Sequence, residues 1–169
     1  MTLSRALTAA LVGFLAIGAA TARNNLGEVL SDQGRLDQAE GAFLDAERAW
    51  KAASFPIGQA LVQLNLGTVA ARRRQRVEAE SLLTSARAAF TATGQSAYAA
   101  ECDLRLVELE AYLGRVDEVR ARLDALDLGD ESATVVPVVR RLEAFALAGA
   151  DAADLEAAID VALDAATVA

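Results

Sequence analysis

Asn25 and Asn65 stand forty positions apart. An amide side chain carries donor and acceptor together, so such a pair could read the backbone of an extended polypeptide without demanding a charge. A second cluster is Arg72-Arg73-Arg74-x-Arg76. It could hold a phosphate or an acidic segment. The commoner outcome for such a run is to complement a helix C-terminus and pair with acids on adjacent elements. Cys102 is flanked by Leu104, Leu106 and Val107, which suits a buried small hydrophobe better than a reactive thiol. The acid pairs Glu108/Glu110 and Asp151/Asp154 have ordinary helix-surface spacing.

Other chemistries are excluded by residue type. The chain has no His, so it has no Ser-His-Asp triad, no Cys-His pair and no imidazole metal site. One Cys allows neither an intramolecular disulfide nor a cysteine-cluster zinc site. No metal and no cofactor is expected. The formal charge of −8 disfavours nucleic acid as a partner. Residues 24–50 carry six acids against two bases and 92–169 sixteen against six; the six bases of 51–91 meet only Glu78 and Glu80. An enzyme is not expected, because acid–base and nucleophilic groups lack partners.

These side chains need a frame, and composition says which kind. Of 169 residues, 40 are Ala and 24 are Leu, with only two Pro, a mixture that favours helices over strands. Residues 24–50 align without a gap on 64–90, placing Leu26-Gly27 on Leu66-Gly67, Val29 on Val69, Ala39-Glu40 on Ala79-Glu80, Ala46 on Ala86 and Trp50 on Phe90. A further forty-residue step matches Leu106, Gly114, Arg115, Val119 and Leu123 to Leu26, Gly34, Arg35, Ala39 and Phe43. Each unit reads as two helices. The first is expected to bury Leu26, Val29 and Leu30 and to stop at Gly34. The second is expected to be capped by Asp37 and to bury Leu36, Ala39, Phe43, Ala46 and Trp50. Gly27 and Ala39 are small where the pair should cross closely.

Leu-Gly at positions 7 and 8 of the unit, Ala at 20, an aromatic at 24 and Ala at 27 resembles the tetratricopeptide repeat. In unit one, counted from Ala20, these are Leu26-Gly27, Ala39, Phe43 and Ala46; in unit two, Leu66-Gly67, Ala79, Leu83 and Ala86. Unit three (Leu106-Val107, Val119, Leu123, Leu126) matches more weakly. The run ARNNLGEVLSDQGRLDQAE is similar to the C-terminal repeat regions of actinobacterial proteins that carry a class III adenylate or guanylate cyclase, or a regulator ATPase, upstream. The resemblance implies an all-α, right-handed superhelix of stacked antiparallel helix pairs whose first helices line a concave groove. Groove positions would then be Asn25, Glu28, Asp32, Asn65, Thr68, Arg72, Arg105, Glu108 and Tyr112. The competing reading has Asn25 and Asn65 simply bonded to the neighbouring helix. The implied function is a non-catalytic scaffold that binds a peptide or protein domain, as the repeat module of a bacterial signalling protein.

The expected array comprises 20–55, 56–95, 96–128 and a degenerate capping unit at 132–166, with Pro137 in a first helical turn. Residues 1–18 admit two readings. As a repeat half, Leu3, Leu7, Leu11 and Phe14 form a stripe, and Phe14-x-x-x-Gly18 repeats the spacing of Phe90-x-x-x-Gly94. As a signal peptide, Arg5 precedes an apolar run that ends in Ala20-Thr21-Ala22, with cleavage after Ala22. The first goes with a cytoplasmic protein, the second with an exported one. The uncharged run at 6–22 falls short of the ~20 residues a bilayer needs, so no membrane span is expected. Exposed repeat ends offer a second function, self-assembly into a homodimer.

Overall fold

The computed structural model describes the backbone of residues 3–125, side chains from residue 11 onward, and residues 148, 149, 151, 153, 155–157, 159 and 160. Within residues 3–125, six helices follow one another: α1 (Leu3–Asp32), α2 (Leu36–Ala52), α3 (Pro56–Arg72), α4 (Arg76–Ala92), α5 (Ser96–Tyr112) and α6 (Val116–Ala125). Each packs on the next, and α3 also touches α5 and α1. The fold is therefore all-α, built from antiparallel helix pairs stacked in chain order.

Helices α2 to α5 each have 17 residues, joined by three-residue turns. The turns share one geometry. In the first, Gly34 N–H donates to Ser31 C=O and Arg35 N–H to Leu30 C=O, which satisfies the last carbonyls of α1. That closure requires a left-handed residue at positions 34, 54, 74, 94 and 114. Glycine fills three of them, but Ser54 and Arg74 adopt φ of 52° and 60°. Asp37 is no cap: α2 begins after Arg35 without a side-chain cap bond, and the Asp37 carboxylate pairs with Arg73 instead.

Close crossing holds where small residues were expected. A Cβ on Gly27 would sit 2.5 Å from the Phe43 ring, and one on Gly67 would sit 2.7 Å from Leu83 Cγ. Ala39, Phe43, Ala46 and Trp50 are buried together with Ala20 and Leu30, and Ala79, Leu83, Ala86 and Phe90 repeat the pattern one unit later. Cys102 lies in this second cluster as the buried residue its neighbours suggested.

Three further expectations need correction. Helix α1 runs unbroken for 30 residues, so Gly18 ends no helix and residues before it are continuous with unit one's first helix. Leu26 and Val29 do not share Leu30's burial, because among the described residues no helix covers that side of α1. Asn25 is exposed, for the same reason. The capping unit at 132–166 lies mostly outside the described residues. Within it, Gly149 turns with φ of 74°, and Ala148 and Leu155 pack on Val107, Val119 and Leu123. Pro137 and the side chains of Leu3, Arg5 and Leu7 also lie outside. Among the described residues no helix is long and apolar enough to cross a membrane.

Candidate functional site

The first helices of the three units, α1, α3 and α5, line one cavity of about 210 Å³. Glu28, Ser31 and Asp32 come from α1, Leu61, Leu64, Asn65, Thr68 and Arg72 from α3, and Tyr98, Glu101 and Arg105 from α5; Phe43 of α2 adds to the lining. Of the expected groove residues, Glu28, Asp32, Asn65, Thr68, Arg72 and Arg105 meet here. Asn25 does not. Glu108 lies beside the cavity, bound to Arg105, and Tyr112 packs on the core cluster of units two and three.

The missed residue is Asn24. It is 4% exposed, donates from Nδ2 to Glu28 Oε1 at 2.7 Å, and accepts at Oδ1 from Asn65 Nδ2 at 2.9 Å. Asn65 Nδ2 also donates to Glu28 Oε1 at 3.2 Å. Both amide hydrogens of Asn65 are thus taken up between units one and two, as the competing reading had it. Among the described residues its carbonyl oxygen accepts no hydrogen bond. The signal for Asn24 was present: Ala20, Asn24, Gly27 and Ser31 share a helical stripe, and Gly27 was the expected close crossing. Ser31, Leu61, Tyr98 and Glu101 were likewise not anticipated.

Charge in the cavity is nearly balanced, with Glu28, Asp32 and Glu101 against Arg72 and Arg105. Arg72 donates to Ser31 Oγ at 2.7 Å and to Asp32 at 2.9 Å. Arg105 bridges Glu101 at 2.7 Å and Glu108 at 2.8 Å. Burial opposes the charge of its guanidinium, but Glu108 and Glu101 outweigh that and hold its pKa above the usual value. Thr68 is buried, and its hydroxyl donates back to Leu64 C=O.

The arginine run is dispersed rather than gathered into a patch. Arg72 faces unit one, and Arg73 reaches Glu40 at 2.7 Å and Asp37 at 2.5 Å. Its pKa is raised, chiefly by the hydrogen bond to Glu40. Arg74 occupies the left-handed turn, and Arg76 pairs with Glu80 four residues on. Inter-unit pairing therefore accounts for Arg72 and Arg73 and helical spacing for Arg76.

A second depression of about 260 Å³ is lined by residues including Arg87, Thr91, Ser96 and Asp103. Arg87 and Asp103 close an ion pair there at 2.8 Å. Cys102 beside it is sealed in, and burial pushes its thiol up to about 12. Among the described residues no group of three or more His, Cys, Asp or Glu could hold a metal ion. Comparison with protein-family models, curated proteins and solved structures finds no significant match.

Proposed function

We propose that this chain is a tetratricopeptide-type interaction module without catalytic activity, which holds an extended peptide across α1, α3 and α5. The observation that carries the reading is the cavity these three helices share. Its lining mixes apolar Leu61, Leu64 and Tyr98 with the amide of Asn65, while its arginines are paired with acids and Glu28 is held by the amides of Asn24 and Asn65. Such a surface favours a largely uncharged backbone with apolar side chains over a carboxylate or a phosphate. The acceptor of Asn65 suits a peptide N–H. This reading goes with a repeat module of a cytoplasmic bacterial signalling protein, and an exported repeat protein is the alternative.

Selection from a random displayed peptide library, followed by fluorescence anisotropy on the selected peptides, tests it. Asn65→Leu and Arg105→Met should each weaken binding by roughly tenfold or more, about 1.4 kcal/mol. Arg87→Ala, in the second depression, should leave it unchanged. Failure to select any binder, or binders lost only in Arg87→Ala, would overturn the groove assignment.

A further inference from the structure

Among the described helices, α3 and α5 are each covered on both sides and α1 is not. Val69 of α3 is 2% exposed because it packs into the cluster that α2 forms with Phe43 and Trp50. Val29 holds the same repeat position forty residues earlier and is 53% exposed. Leu66 is partly buried in that cluster, whereas its counterpart Leu26 is largely exposed. The uncovered face of α1 thus has the register of one that takes an antiparallel second helix. The opposite end of the stack differs: Ala148 and Leu155 already pack on it.

Helix α1 also overhangs its own partner. The 17 residues of α2 run back along the second half of α1, and Leu11, Phe14 and Leu15, which precede that stretch, are exposed. At 3.6 residues per turn, Leu11, Leu15, Gly18, Ala22, Leu26 and Val29 form one stripe roughly 27 Å long. The stripe carries no charged residue, and it is self-complementary. Reversed about a point near residue 20, it sets Leu11 opposite Val29, Leu15 opposite Leu26, and Gly18 opposite Ala22, with the small residues where two helix axes come closest.

We infer that two copies of this chain pair antiparallel through α1, each overhang covering the exposed face around Leu26 and Val29 of the other. The assignment is independent of the groove reading. Leu11, Phe14, Leu15, Leu26 and Val29 are each more than half exposed. At on the order of 100 Å² per side chain they supply roughly 500 of the ~800 Å² per partner of a standard interface.

Light scattering on the full chain, from about 1 to 200 µM, should show twice the 17.6 kDa chain mass at the upper end. Leu15→Glu lies in the overhang, away from the core, and should raise the dissociation constant by roughly 100-fold or more with the helical circular dichroism unchanged. The register has its own readout. Leu11→Cys combined with Val29→Cys should cross-link between copies on oxidation, whereas Val12→Cys with Val29→Cys, off the stripe, should not. Cys102 is buried and takes no part in native-state cross-linking. A monomer throughout the series, as expected if an upstream helix or another protein covers α1, overturns the pairing. So does a dimer that survives Leu15→Glu, or equal cross-linking by the two cysteine pairs.

Discussion

The seam between units one and two and the seam between units two and three occupy the same repeat positions but divide their volume in opposite ways. At the first, Trp50 is buried against Gly58, where even a Cβ would lie 2.5 Å from Trp50 Cγ. Forty residues on, the smaller Phe90 stacks on Tyr98 with ring centroids 5.0 Å apart. The large side chain comes from the second helix in one case and is shared across the seam in the other. Repetition preserves the space between helices, and the pair of residues filling it varies jointly. The first seam carries a cost the second lacks, because the buried Trp50 Nε1–H has no hydrogen-bond partner among the described residues.

The largest effect should come from forcing one seam to adopt half of the other. Gly58→Tyr against an intact Trp50 should destabilise the fold by roughly 3 kcal/mol or more in urea unfolding, from overpacking. Adding Trp50→Phe recreates the Phe90–Tyr98 pairing and should recover about 2 kcal/mol, seen as a coupling in the double-mutant cycle. No recovery would mean the two seams are not interchangeable.

Polar clasps make a second contrast. Arg122 in unit three reaches Glu110 at 3.1 Å and Glu80 of unit two at 3.7 Å, and Arg115 also holds Glu110, which is 1% exposed. Between units one and two, Arg73 instead meets Glu40 and an almost fully exposed Asp37. Glu110→Gln should therefore cost about 2 kcal/mol, because it leaves two arginines facing a neutral group. Arg73→Met should cost no more than about 1 kcal/mol, as exposed pairs do, and less at high salt. Equal losses in thermal or urea unfolding would break the distinction.

The turns that lead into the two seams also differ at their left-handed position. Ser54 holds φ of 52° where Gly94 holds 70°. Ser54→Gly should stabilise and Gly94→Ser destabilise, each by about 1 kcal/mol, from the steric cost of Cβ in the left-handed region. The smallest difference at neutral pH concerns Cys102, whose counterpart at the first seam is the buried Val62. Burial pushes the thiol from an ordinary 9.0 up to about 12, so the folded state favours the neutral form. Its contribution is intact below pH 9 and is lost as pH rises from there toward 12. Cys102→Val should flatten that alkaline decline in stability without altering it at pH 7.

The forty-residue alignment located the helix pairs, the crossings at Gly27 and Gly67 and the core stripe Ala39-Phe43-Ala46-Trp50, because periodicity reports which face of a helix is covered. It misread Leu26, Val29 and Asn25. Their register equals that of Leu66, Val69 and Asn65, but no described helix covers them, and an alignment carries no record of which neighbour a face receives. Asp37 failed as a cap for a related reason: its partner, Arg73, is 36 residues away.

Six of the nine expected groove residues do line one cavity, since the resemblance specified their helix and face. Asn24 escaped because its role depends on Asn65 of the next unit, a contact across 41 residues. Local order here follows from short-range chemistry: helix-forming Ala and Leu, left-handed turns every twenty residues, small residues at crossings. Which amide is buried, which arginine clasps which acid and which helix face stays bare depend on the neighbour each unit receives. That is a property of the stack, since hydrogen bonding and burial are settled only when two distant segments meet.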